Sequence, residues 1–177
     1  LLTGLLPDIT TDPAIETAID SVEAGRSGTI VAPVGIRPPL LAAVASRAAT
    51  PLVVLTATGR DAESLTNALA SWIPGVAMLP AWETLPHERL SPQVDTMARR
   101  IAVLRRLVHP IAGDDSAGPI SVLVVPIRAF LQPIISGLAD LEPVRVRTGD
   151  ILDLTETTNR LAELGYERVD MVEGRGQ

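Results

Sequence analysis

Apolar runs of strand length alternate along this chain with stretches whose apolar residues return every three or four positions. Four runs carry the strand signature: Thr29–Ala32, Leu52–Thr56, Val76–Leu79 and Ile120–Val125. They are continuous rather than alternating, as strands covered on both faces read. Between them lie amphipathic helices. Ile15, Ala18, Ile19 and Val22 share a face behind an Asp12-Pro13 start, and Leu40, Leu41, Val44 and Ala45 follow Pro33-Val34-Gly35. Leu65, Leu69, Trp72 and Ile73 follow a Thr58-to-Asp61 capping box in which the acid plays a variant role. This order predicts an α/β domain with a parallel sheet and helices on both faces, complete by about Glu142.

The stretch Leu79–Val108 organises the rest. A Pro-punctuated loop carrying Trp82, Glu83, His87 and Glu88 leads into a helix with Ser91 as N-cap, Pro92 at the first helical position and Asp95 near the positive end. Val94, Met97, Ile101, Leu104 and Val108 form its apolar stripe, and Arg99, Arg100, Arg105 and Arg106 fall off that stripe onto a solvated face. Elsewhere Leu1–Leu6 reads as a packed N-terminal extension. The Gly/Asp/Ser-rich loop Pro110–Pro119 reads as mobile, and Ala129–Leu131 as a short helix disturbed by Pro133.

From residue 143 the pattern changes. Val144–Arg147 alternates apolar with arginine, as a half-exposed strand does. Thr155–Leu164 reads as a helix with Leu154, Leu161 and Leu164 inward and Gly165 closing it. Tyr166–Val172 alternates again, placing Arg168 and Asp170 on its polar face. Such a unit cannot bury its own faces. Residues 143–177 therefore read as the start of a second, α+β domain after a first domain spanning 1–142. The chain begins without methionine and stops at Gly-Gln just after a strand-like segment, so the expectation is a piece of something larger.

Composition narrows the chemistry. The 177 residues are 46% apolar but only 2% aromatic, so a core must rest on Ala, Val, Leu and Ile. A net charge of −6 suits a phosphate backbone poorly, although a local basic patch is not excluded. Cysteine is absent, which removes disulfides and thiolate chemistry. No run reaches the length of a membrane span and no signal-peptide pattern occurs, so a soluble cytoplasmic protein is the simplest reading.

Lysine is absent as well, which rules out a complete P-loop and any Schiff-base lysine. Pro33, Val34 and Gly35 stand where a P-loop would follow a first strand, yet one glycine and nearby prolines make this a degenerate nucleotide loop. Glu83, His87 and Glu88 suggest neither a metal site nor an acid/base pair by spacing, and the plainer reading has Trp82 anchoring the loop while the charges face water. No catalytic residue and no metal ligand set is assigned.

WETLPHERLSPQVDTMARRIAVLRRL resembles the N-terminal region of the bacterial transcription-repair coupling factors (Mfd), and GYERVD supports the likeness downstream. The same loop-and-helix unit looks like a shortened form of one in the excision-repair protein UvrB. The resemblance implies a P-loop-NTPase-like, UvrB-like domain 1A with a degenerate nucleotide site, then the start of a UvrB-like domain 2. It implies UvrA as partner, with Arg168 presenting its guanidinium to UvrA and Arg175 near the next basic position, more loosely matched. UvrB's tyrosine-rich damage-probing hairpin has no room between Trp82 and Ser91. By the same resemblance, ATP-driven motors that displace stalled RNA polymerase from DNA lie in later domains, so ATP and magnesium belong there and no cofactor belongs to this fragment. The fragment is then a non-enzymatic recruiting and scaffold module. Two alternatives stand beside it: direct DNA binding through the Arg99–Arg106 helix, and a small α/β enzyme with an unrecognised site.

Overall fold

The computed structural model describes residues 1–84, 93–114, 116–146, 148–163 and 166. Its helices are α1 (Leu6–Thr10), α2 (Pro13–Glu23), α3 (Arg37–Arg47), α4 (Gly59–Ala70), α5 (Val94–Val108), α6 (Ile127–Phe130) and α7 (Leu154–Glu163). Among the described residues three strands, β1 (Leu52–Thr56), β2 (Val76–Met78) and β3 (Val122–Pro126), form one parallel sheet in the order β1-β3-β2. Val122 pairs with Leu52 on one side and Val76 on the other.

β3 is the centre, and all five of its residues are buried. Val122 and Val124 face Leu40, Ala43, Ala62 and Leu69 from α3 and α4. Leu123 and Val125 face the opposite way, into a smaller cluster with Ala77, Leu79, Val103 and Ala129. Coverage on both faces is why this segment reads as an unbroken apolar run. The expected two-sided cover fails at β1, where Val53 and Leu55 are 51% and 47% exposed.

Two helix starts, those of α2 and α4, follow their side-chain chemistry. Asp12 Oδ1 accepts from Ala14 N at 2.9 Å and from Ile15 N at 3.3 Å, opening α2 ahead of Pro13. Thr58 Oγ1 accepts the Asp61 N–H at 3.1 Å and donates to Asp61 Oδ2 at 2.8 Å, opening α4. Thr58→Ala is expected to cost about 1 kcal/mol, the usual worth of such a cap. Urea unfolding of the variant reads it directly, and an unchanged midpoint would mean that the cap contributes nothing. The N-terminal extension is tied down by Leu2 N donating to Ser71 O at 2.7 Å, with Leu6 buried.

Several expectations are corrected. Thr29–Ala32 is not a strand: it belongs to no sheet, and Val31 is 95% exposed. Bounded by Gly28 and by Pro33, which has no N–H, so short a run can add few ladder bonds against the entropy of ordering it. Val144–Val146, the described part of the expected Val144–Arg147 strand, is likewise irregular, and the Arg145 side chain pairs with Asp114. The loop after α5 is built rather than loose. Asp114 Oδ1 accepts from Ser116 N at 2.8 Å and Ala117 N at 2.9 Å, while Ile111 N donates to Ala117 O at 2.9 Å. In α7 no residue is buried, and Leu154 stands out in solvent instead of facing inward. α5 begins at Val94 with Gln93 as an N-cap that makes no side-chain cap, rather than with the expected Ser91-Pro92 start; Ser91, Pro92, Leu164 and Gly165 lie outside the described residues, as does Tyr166–Val172 apart from Tyr166.

Candidate functional site

The loop after β2 is fastened to α5 by a polar cluster. Arg100 is 1% exposed, its guanidinium carbon stands 4.5 Å from the centroid of the Trp82 ring, and one of its terminal nitrogens donates to Pro80 O at 2.6 Å. Trp82 N donates to Gln132 Oε1 at 2.8 Å, and Arg128 donates to Glu83 O at 3.1 Å. The Thr96 hydroxyl donates to the Glu83 carboxylate. Trp82 anchors the loop, as its sequence context suggests, but Glu83 is held rather than simply solvated.

This cluster corrects the phase of α5. The buried positions are Thr96, Arg100, Val103 and Leu104, whereas Val94, Met97 and Val108 are exposed. The inward face is rotated from the expected stripe by about one residue, roughly 100° of helix. Nor do the arginines form a solvated basic face. Arg100 is buried, Arg105 donates to Leu141 O at 3.1 Å, and Arg106 donates to Gly118 O at 2.8 Å. Arg99 remains outside, paired with Asp95 at 2.8 Å.

Electrostatically the cluster is settled. Burial by itself would raise the Glu83 carboxyl, but hydrogen bonds from Thr96 and from the backbone at Glu83 and Gln93, with Arg128 nearby, outweigh it and hold the group below its ordinary range. Burial pushes the Arg100 guanidinium down, yet an arginine starts so high that it remains charged. Neither group is poised to exchange a proton near neutral pH. His87 and Glu88 lie outside the described residues. Among those described, no three His, Cys, Asp or Glu gather as a metal site would require.

Pro33, Val34 and Gly35 are described. They lead into a single 3-10 turn, Val34–Ile36, and then α3. Ile36 is the N-cap and offers no side-chain cap, and Pro38 and Pro39 occupy the next helical positions after Arg37. Two of the first three helical N–H donors are therefore missing, which removes most of what a helix N-terminus offers an anion. An open cleft of about 800 Å³ beside this turn is bordered mainly by apolar groups, including Ile30, Val31, Val34 and Leu41, with Arg37 and Asp61 at its margin. Arg168 and Arg175, the predicted partner contacts, lie outside the described residues.

The comparisons fit this picture. No family model matches the chain. It is 46% identical over 152 residues to the transcription-repair-coupling factors of Mycobacterium bovis and Mycobacterium tuberculosis, over 84% of its own length. The chain is homologous to part of the transcription-repair-coupling factors. The Escherichia coli transcription-repair-coupling factor is 26% identical over 140 residues, 78% of this chain. The chain spans 12% of the length of each of these coupling factors. The resemblance carried by the Trp82 loop and α5 is thus borne out, and the Trp82–Arg100 contact gives two residues of that coupling-factor-like stretch a structural role. Sequence reasoning missed Arg100. Its available signal was position: Thr96, Arg100 and Val103 also recur at helical spacing.

Proposed function

We propose that this chain is the N-terminal part of a transcription-repair coupling factor and acts there as a non-catalytic module that recruits UvrA. The observation that carries the reading is the 46% identity over 84% of the chain. Residues 1–142 would form a UvrB-like domain 1A of P-loop-NTPase type with a degenerate nucleotide site, and residues 143–177 the start of a UvrB-like domain 2. The prolines at the head of α3 and the absence of lysine support the loss of nucleotide binding. ATP-driven translocation, release of stalled RNA polymerase and DNA contact would belong to other parts of a longer cytoplasmic protein.

Arg168 is the proposed contact to UvrA, with Arg175 beside it. An arginine on the polar side of a strand offers a planar fork to a partner carboxylate. Arg168→Ala should weaken UvrA binding by about 1.5–3 kcal/mol, the range of a hydrogen bond to a charged group. Titration of UvrA against this chain and the variant measures it; equal affinities would remove Arg168 from the interface. Direct DNA binding through α5 is the less favoured reading, since Arg100, Arg105 and Arg106 donate to backbone carbonyls.

A further inference from the structure

We infer that residues 138–146 form a strap fastened to the C-terminal half of α5 chiefly by charge, and that raised ionic strength releases it while the α/β core stays folded. Four contacts fasten it, involving the side chains of His109, Arg105 and Arg145. His109 Nε2 lies 2.7 Å from Asp140 Oδ1. Arg105 donates to Leu141 O at 3.1 Å and stands 3.9 Å from Glu142. Arg145 lies 3.3 Å from Asp114 Oδ2.

The anchor for the last of these is preset. The Ser116 hydroxyl and the Ala117 and Ser116 N–H groups, against a small effect of burial and with Arg145 adding to them, hold the Asp114 carboxyl at about 2. Asp114 is therefore an anion whether or not the strap is closed. Apolar anchoring is thin: Leu138, Ala139 and Val144 are only half-buried and no strap residue is fully buried. A cleft of about 460 Å³ remains between α5, Asp114 and residues 143–146, so the strap bridges the surface rather than packing into it. Half-exposed ion pairs are individually weak and screened by salt, which places this segment at the low end of local stability.

The strap does not rest on the recruitment reading above. Hydrogen exchange of the Leu138 and Asp140 amides, which donate to Ile135 O and Gly137 O within the strap's turn, tests it on this chain, at about 20 mM and about 500 mM salt, on either side of effective screening. The expected result is about three- to tenfold faster exchange in the strap at high salt with β3 unchanged, the size of one or two exposed ion pairs. Arg145→Glu should do the same at low salt. His109→Glu should also loosen the strap, and adding Asp140→Arg should restore protection by reversing the pair. These substituted positions are surface groups outside the core, so folding is not at risk. Exchange indifferent to salt and to these reversals, or rising equally in β3, would overturn the strap; UvrA affinity is not read by the measurement.

Discussion

Arg100→Ala is expected to destabilise the chain by about 3 kcal/mol, combining a lost charge-assisted hydrogen bond with a lost cation–π contact. The change leaves Pro80 O without its 2.6 Å donor and uncovers the Trp82 ring. One effect runs the other way. Arg100 is a buried charge, its Nε has no partner, and no carboxylate pairs with it among the described residues, so removing it also recovers a desolvation penalty. Arg100→Met separates these terms, because its flexible apolar side chain still packs on Trp82 and keeps part of the buried stem volume. The methionine variant should cost about 1 kcal/mol, well below alanine, since only the polar terms are lost. Urea midpoints at unchanged slope decide it. If both variants unfolded like the parent, Arg100 would be a tolerated buried charge and not the fastener of the Trp82 loop.

Arg100 also marks where reading the sequence stops working. β1, β2 and β3 were legible because continuous apolar runs of strand length have few other fates in an α/β chain. Asp12-Pro13 and Thr58-to-Asp61 were legible because caps are local, made within three or four residues. The phase of α5 is not local. It is set by a loop twenty positions back, whose Pro80 carbonyl and Trp82 ring draw in Arg100. A stripe drawn through apolar residues alone cannot include an arginine, although its stem is hydrocarbon. Thr29–Ala32 misled for the opposite reason: apolar composition was present, but the burial that makes a strand of it was not. Of the proposed site, the degenerate loop at Pro33–Gly35 was legible from missing lysine and extra proline. Arg168 owes its place to family resemblance, since alternation alone puts Asp170 on the same face.

Gly75→Ala is expected to cost about 4 kcal/mol, adding a left-handed backbone penalty to an overlap with neighbouring chain. Gly75 has φ +75°, and a Cβ there would meet Ser121 Oγ at 2.8 Å, Pro119 O at 2.9 Å and Ser121 N at 3.0 Å. Ser121 Oγ could swing away, but the two backbone atoms cannot move independently. They belong to the segment entering β3, and Gly75 O itself accepts from Ser121 N at 2.8 Å and Val122 N at 3.3 Å. Pushing that segment away opens the β2–β3 ladder at its first pair, Val76 with Val122. Gly137 supplies the control: its φ is +82°, yet an added methyl there would meet nothing within 4 Å, so Gly137→Ala should cost only the backbone strain, about 1–2 kcal/mol. The difference between the two urea midpoints therefore isolates the overlap at Ser121 and Pro119. Equal shifts would mean that the β3 entry yields freely, and that the close approach of Gly75 does not set the register of the sheet.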